Sequence, residues 1–248
     1  MKNFLKFIDS KIFNNFFKKT YQKLLIQKVD KFLKSYEFYE NFSNLKNDEL
    51  SLLCEEYGSD KGGRIDNNIS RRKPHFYSSF YYEKFNKNRD KISLIFECGI
   101  GTNNKNFVSN LGEFGVPGAS LKVWKIFFRN AKIIGADIDK NVLFNDDRIQ
   151  TFYVDQKKND STIRMWNMIK DDNFDIIIDD GEHSYEAALS LFYNSFKKLK
   201  TGGVYIIEDV HVAYLIDLAK TLKKYKPKII SSNRKFNIDD YLFLITKD

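Results

Sequence analysis

The sequence predicts an α/β protein, a mostly parallel sheet with helices on both faces, preceded by a helical extension. Three observations lead there. Past Lys91, short apolar runs alternate with stretches of helical periodicity. The connections between runs are long enough for the crossover helices that parallel pairing requires. The runs themselves are almost continuously apolar, as strands covered on both faces are.

Taken in order, residues 1 to about 57 are expected to be helical. Phe4, Leu5, Ile8, Ile12, Phe16 and Phe17 recur at helical spacing between lysines. A second periodic stretch runs from Leu24 to Phe38, and NDELSLLCEEYG opens like a capped helix. The first helix is expected to pack within the protein or a dimer, with a membrane surface as the competing partner. The strands follow as ISLIFECG, AKIIGADI, RIQTFYVD, FDIIIDD, GGVYIIED, PKIISS and YLFLITK. Helices are expected near 119–129, 160–170, 184–199 and 211–225. A polar loop joins the last two runs, so the last strand is expected to be antiparallel, in a pair at the edge. The result is a Rossmann-like, seven-stranded, mostly parallel sheet. With no repeat or low-complexity linker, the simplest division is a helical extension and lid over 1–90 and a ligand-binding domain over 91–248.

Bulk properties narrow the classes. At 248 residues the chain can bury a substantial core, and no run approaches the about 18 apolar residues of a membrane span. The N-terminus lacks a small-residue cleavage site, and Cys54 and Cys98 form no CxxC pair. A cytoplasmic protein with reduced thiols is expected. The net charge of +8 favours anionic partners such as nucleic acid, anionic lipid or a phosphorylated small molecule. The basic clusters Arg71-Arg72-Lys73 and Lys223-Lys224 are short, and read first as solvated faces.

In such sheets ligands bind beyond the carboxyl ends of the strands. The first five runs all end in an acid: Glu97-Cys98-Gly99-Ile100-Gly101, Asp137-Ile138-Asp139, Asp155-Gln156, Asp179-Asp180 and Glu208-Asp209. Five together argue for one polar site along one sheet edge. The glycines of ExGxG allow a tight turn and close approach to a ligand, although Asn104 stands where a dinucleotide fingerprint needs glycine. Asp137 suits a vicinal diol, and Asp155 with Gln156 suits an adenine edge. Together they describe a nucleoside pocket.

The order ExGxG, GxDID, DQ, DDGxH, ED resembles the class I S-adenosylmethionine-dependent methyltransferases. More narrowly it is similar to the metal-dependent sugar O-methyltransferases of macrolide tailoring and bacterial capsule biosynthesis. EEYGSDKGG, HFYSSFYYEKF, GVPGASLKVWKIFF and GGVYIIEDV extend the likeness over roughly residues 50–248. The resemblance implies S-adenosylmethionine as cofactor, with Glu97 and Gly99 at its methionine part, Asp137 on the ribose and Asp155 with Gln156 by the adenine. Gly101, Asp139 and Asp179 are counted with them, and Ser120 opens the helix whose free N–H groups face the cofactor carboxylate. The segment TNNKNFVSNLGEFGVPG is either a surface loop or a lid.

Methyl transfer to an alcohol needs an oxygen nucleophile relieved of its proton. Asp180, Glu208 and Asp209 are hard oxygen ligands for Mg²⁺ or Mn²⁺, with positions left for a diol. Without a cation such carboxylates would repel one another. The resemblance assigns the base to His183, and the chain departs from the family's usual small residue at Glu182. Tyr57, Asp60, Lys61, His75, Tyr77 and His211 are candidates for the acceptor side or lid. The implied acceptor is a small molecule, a nucleotide-linked sugar such as a heptose of a surface glycan. Lys61, Arg64, Arg71 and Arg72 would meet its diphosphate. Two readings compete: a methyltransferase for a non-sugar small molecule, and a basic RNA-binding or RNA-methylating protein. Against the second, there is no NPPY-like motif and no appended RNA-binding module. Neither nucleic acid nor stable membrane insertion is expected, and a homo-oligomer is compatible with the N-terminal helices.

Overall fold

The computed structural model describes residues 2–42, 48–63, 75–107, 109–232 and 238–248, the side chains of 2–17, 42 and 232 excepted. In chain order the elements are α1 (Lys2–Lys34), β1 (Tyr39–Phe42), α2 (Glu49–Tyr57), α3 (Tyr77–Phe85), β2 (Leu94–Cys98), α4 (Ala119–Phe127), β3 (Lys132–Asp137) and β4 (Asn145–Asp146). There follow β5 (Ile149–Tyr153), α5 (Asn159–Met168), β6 (Phe174–Asp179), α6 (Tyr185–Ser195), β7 (Leu199–Ile207), α7 (Leu215–Thr221), β8 (Lys228–Ser232) and β9 (Tyr241–Thr246). Among the described residues the strands form one sheet in the order β1-β8-β9-β7-β6-β2-β3-β5-β4.

All seven strands expected from the sequence are present, and two short edge strands bring the sheet to nine. β4 is a two-residue antiparallel addition to β5. β1 comes from the segment read as helical and pairs in parallel with β8. The last strand is antiparallel as expected, but β9 lies inside the sheet, between β7 and β8. Its first five residues, Tyr241 to Ile245, are all buried, which an edge strand could not achieve.

Alternation along each strand divides the core between two faces. Phe96, Ile177, Tyr205 and Ile207 point to the face covered by α5, α6, α7 and the end of α1. Ile95, Ile176, Ile178 and Ile206 point to the face covered by α2, α3 and α4. The N-terminal extension is therefore built into the domain. Val29 and Leu33 of α1 join the first cluster, and Tyr36 donates its hydroxyl to the Pro227 carbonyl at 2.8 Å. The side chains of the first half of α1 lie outside the described residues, and with them its expected packing face. No described helix is long and apolar enough to cross a membrane.

α2 begins and ends as its sequence signals. Asp48 caps it by accepting from the Ser51 N–H at 2.8 Å, and Gly58 closes it in the left-handed conformation. The turn after β2 has a stricter requirement. Gly99 has φ +88°, and a Cβ there would lie 2.0 Å from the Asp180 carbonyl oxygen. Two strand ends thus touch at a position only glycine can occupy. Gly99→Ala is expected to cost about 3 kcal/mol, roughly 6–12 °C of melting temperature. Gly112→Ala, also left-handed but with nothing within 4 Å, should cost about 1 kcal/mol by the same melting measurement.

Candidate active site

Strand register brings the acids to one level. Cys98 pairs with Ala136 on one side and with Asp179 on the other, and Asp179 pairs in turn with Ile207. The chain leaves the sheet at these residues, and backbone bonds tie the exits together: Gly99 N–H to Ala136 C=O at 2.8 Å, Asp180 N–H to Cys98 C=O at 2.9 Å, Glu208 N–H to Asp179 C=O at 2.9 Å. Above them opens a cleft of about 580 Å³. Its walls include Gly99, Gly101, Ser120, Asp137, Gln156, Asp180 and His183. The segment after β2 forms one side, contributing Asn106, Phe107 and Leu111, so it is a cleft wall. Asn103 braces it by donating to the carbonyls of Gly112 and Gly115 at 2.7 and 2.9 Å.

At the acceptor end acids and cations alternate. The Lys61 ammonium, 2 % exposed, lies 2.5 Å from Glu208 Oε2, 2.6 Å from Asp180 Oδ2 and 3.3 Å from Glu97 Oε1. Asp180 Oδ1 is 3.1 Å from His183 Nε2, which is 3.8 Å from Asp209 Oδ2. Asp209 Oδ1 accepts from the Tyr77 hydroxyl at 2.6 Å and lies 3.2 Å from His75 Nδ1. His75 Nδ1 is also 3.1 Å from Asp240 Oδ1. His183 and Asp209 both adopt left-handed backbone, φ 57° and 51°, a strained conformation for non-glycine residues that concentrates at functional sites.

This arrangement sets the charges. Burial opposes ionisation of Asp180, but the Lys61 ammonium and the His183 hydrogen bond outweigh it and hold the group below the usual carboxylate range. Burial likewise opposes Asp209, and His75 overrides it. Burial raises Glu97 and lifts Glu208 to about 8, with Lys61 pulling the other way. Lys61 stays charged, because its three carboxylates outweigh its own burial. Burial pulls against protonation of His183, yet Asp180 and Asp209 raise it to about 9, and in the same way Asp209 and Asp240 raise His75 to about 11.

Several expected residues are engaged by neighbours within the protein. Glu208 has both oxygens engaged, one by Lys61 and the other by the Tyr81 hydroxyl at 2.5 Å. Among the described residues two sets bring ligand atoms within 4.8 Å of one another, Asp180 with His183 and Asp209, and His75 with Asp209 and Asp240; Glu208 lines the same cleft. Glu97 is fully buried and accepts from the Trp124 indole N–H at 2.6 Å. Gln156 faces the cleft, but its amide is committed to Asp179 Oδ1 at 2.6 Å and to the Glu182 N–H at 3.0 Å. Asp179, Asp139 and Asp155 brace loops: Asp179 takes Gln156, Asp139 takes the Thr102 hydroxyl at 2.6 Å, and Asp155 pairs with Lys158 at 2.7 Å. Asp137 lines the cleft while accepting from the N–H groups of Ile100, Gly101 and Asp139, at 2.9, 3.2 and 2.8 Å.

Asp60, His75 and Tyr77 line the cleft as expected. Tyr57, the last residue of α2, is partly buried against the core. His211 borders a smaller hollow beside His183, where its Nδ1 accepts from the Ala213 N–H at 3.0 Å. Lys61 lines the cleft with its ammonium paired to three carboxylates, and Arg64, Arg71 and Arg72 lie outside the described residues. Glu182 reaches out of the metal-side cluster to pair with Lys157. Asp240 and Tyr81 were not anticipated. The signal for Asp240 was there: an acid pair just before an antiparallel strand sits at the carboxyl edge of its parallel neighbours.

No family model matches the chain. Curated relatives do. Demethylmacrocin O-methyltransferase of Streptomyces fradiae is 34% identical over 166 residues, 67% of this chain and 37% of the relative. Mycinamicin VI 2''-O-methyltransferase of Micromonospora griseorubida is 31% identical over 166 residues, again 67% of this chain and 37% of the relative. The 8-demethyl-8-alpha-L-rhamnosyl tetracenomycin-C 2'-O-methyltransferase of Streptomyces olivaceus is 29% identical over 165 residues, 66% of this chain and 38% of the relative. About two thirds of the chain is similar to these O-methyltransferases. It spans less than two fifths of the length of these relatives, 37 to 38%. Among solved structures, the MycE methyltransferase of the mycinamycin pathway, in complex with Mg and SAH, superimposes with a TM-score of 0.58 at 25% identity, over 81% of this chain and 55% of that one. A ribosomal RNA methyltransferase of Plasmodium falciparum shares the fold alone, with a TM-score of 0.51 at 16% identity over 71% of this chain and 97% of that one.

The alternating charges yield a pH prediction. In the metal-free protein His183 binds its proton more tightly than in the unfolded chain, about 9 against 6.5. The stability it confers is therefore full below 6.5 and lost as pH rises through about 9. Melting temperature in chelator should fall across that window, and His183→Gln should flatten the fall. A divalent cation between Asp180 and Asp209 competes with the same proton, so Mg²⁺ affinity should rise with pH over this range. Calorimetry in buffers of different ionisation enthalpy should register proton release.

Proposed function

We propose that the chain is an S-adenosylmethionine-dependent O-methyltransferase that acts on a sugar hydroxyl with the help of a divalent cation. What carries the reading is the cluster of Asp180, His183 and Asp209 in the cleft, beside the glycine turn at the end of β2. The donor set fits Mg²⁺ or Mn²⁺: two carboxylates held ionised in a cleft, with open positions toward the acceptor. The cofactor supplies an electrophilic methyl group on sulfur, and the cation lowers the pKa of a bound hydroxyl.

The chain's own residues do the rest. The turn at Gly99 and Gly101, Asp137 and the N-terminus of α4 at Ser120 line one wall and would bind the cofactor there. Asp180 and Asp209 would hold the cation, with His183 beside them. His183 Nε2 would take the acceptor's hydroxyl proton as the oxygen attacks the methyl carbon and the carbon–sulfur bond breaks, its electron pair returning to sulfur to leave the neutral thioether. Asp180, 3.1 Å away, then stabilises the imidazolium. The wall at Phe107 and Leu111 excludes water from the transfer.

The acceptor follows less directly. Relatives named for rhamnosyl tetracenomycin, demethylmacrocin and mycinamicin VI favour a sugar on a small-molecule scaffold. A nucleotide-linked heptose is the second reading, and the enclosure of Lys61 weakens its diphosphate contact. The two are separated by initial rates on a glycoside and on a nucleotide sugar.

The first experiment is calorimetric binding of S-adenosylhomocysteine to chelator-treated protein, with and without Mg²⁺, and with Asp180→Asn. Micromolar cofactor binding is expected, together with a Mg²⁺ heat that disappears in the variant. Absence of cofactor binding would overturn the reading. With an acceptor in hand, His183→Ala should lower kcat by roughly 10²–10⁴-fold with KM little changed.

A further inference from the structure

Three segments distant in sequence meet at one end of the cleft. β5 and β6 are not neighbours in the sheet; β2 and β3 stand between them, which puts about 14 Å between the two strands. The loops that follow them nevertheless touch. Gln156, 5 % exposed, donates to Asp179 Oδ1 at 2.6 Å and to the Ala187 carbonyl at 3.2 Å, and its amide oxygen accepts from the Glu182 N–H at 3.0 Å. A Cβ on Gly181 would lie 2.1 Å from that amide oxygen, so the loop after β6 rests directly on Gln156. Beside this buried tie is an exposed one. The Lys157 ammonium pairs with the Glu182 carboxylate, with 54 % and 23 % of the two side chains exposed. The wall after β2 joins them, where the Ser109 hydroxyl donates to the Glu182 carbonyl at 3.3 Å. Ser109, Gln156, Lys157 and Glu182 all line the cleft.

The two ties differ in what can break them. The hydrogen bonds of Gln156 are buried and belong to the fold. An exposed ion pair contributes little to stability and is screened by salt, so it opens and closes readily. The strands between the two loops lead into Gly99 and end at Asp137, both on the cleft wall. A nucleoside whose ribose meets Asp137 has its base directed toward the loop of Gln156 and Lys157. We propose that Lys157 and Glu182 are positioning residues, a clasp that joins the loops after β5 and β6 and retains the nucleoside end of the cofactor. This rests on the S-adenosylmethionine binding proposed above. Gln156 fixes how far apart the loops stand, and the ion pair decides whether the cleft is shut outside it.

The test uses the full chain as wild type, Glu182→Gln, Lys157→Met, the double variant of these two, and Lys157→Arg. Calorimetry gives Kd for S-adenosylhomocysteine and, by competition, for 5′-methylthioadenosine, a neutral probe that keeps the nucleoside and lacks the amino acid. Each is measured at low and at molar salt. At low salt Glu182→Gln and Lys157→Met should each bind both probes about 5-fold more weakly than wild type. The double variant should bind no more weakly than the worse single one, because the two side chains act as one pair. Lys157→Arg, which can still pair with Glu182, should bind like wild type. Molar salt should narrow the gap between wild type and the variants. Melting temperatures within about 2 °C of wild type are expected, since both side chains reach solvent. Equal Kd values in wild type and the single variants would overturn the clasp and leave the cofactor reading standing. So would a loss confined to S-adenosylhomocysteine, or losses that add in full in the double variant. A wild type that binds neither probe would overturn the cofactor reading and the clasp with it.

Discussion

Everything at the working end of this sheet depends on compensating carboxylates that burial would otherwise force to neutralise. Parallel strands aligned in register deliver their terminal acids to one line, where like charges in low dielectric repel strongly. The protein answers with alternation. Lys61 stands between Glu97, Glu208 and Asp180, His183 between Asp180 and Asp209, and His75 between Asp209 and Asp240. No pair here is worth much as a source of stability, because desolvation consumes most of the Coulombic gain. What the chain gains is definition: each carboxylate is told which neighbour to face.

That definition separates two groups of acids that look equivalent in the sequence. Glu208 and Asp209 are consecutive, yet one turns inward to Lys61 and Tyr81 and the other outward to His183, Tyr77 and His75. The left-handed φ of 51° at Asp209 marks the point where the chain makes that switch. His183 shows the same device after β6, with φ 57° bringing its ring back over Asp180, three residues earlier. Backbone strain at both positions converts two strand ends into a single pocket with one open side.

The sheet was legible because its strands are long apolar runs whose period leaves little choice. The acid at each strand end was legible for the same reason, since strand ends locate the ligand edge. Direction was not. Which way Glu208 faces depends on a residue far away in sequence, and Lys61, expected on the acceptor side, gives no sign in the sequence that it meets the strand-end acids. Gln156 shows the limit in another form. An amide beside an acid suggests a base edge, but its two ends are taken by Asp179 and the Glu182 N–H, contacts that exist only once β6 has been placed. β1 was missed because YENF is four residues long and owes its strand state to pairing with β8.

The origin of the compensating groups bears on what the N-terminal segment is for. Lys61, His75, Tyr77 and Tyr81 all precede the first core strand, and each touches Asp180, Glu208 or Asp209. Within the region from β2 onward, His183 is the one cation that the described ion pairs place among those three acids. A sheet domain confined to residues 91–248 would therefore present Glu97, Asp180, Glu208 and Asp209 with a single imidazole between them. Such a cluster would either take up protons or open to water, and in both cases the carboxylates would cease to be the fixed, ionised ligands that the chemistry requires. The segment before the sheet is in this sense half of the site. It supplies the charges against which the strand ends are held, and the packing of α2 and α3 on the sheet through Leu50, Cys54, Tyr77 and Tyr81 keeps that half in place.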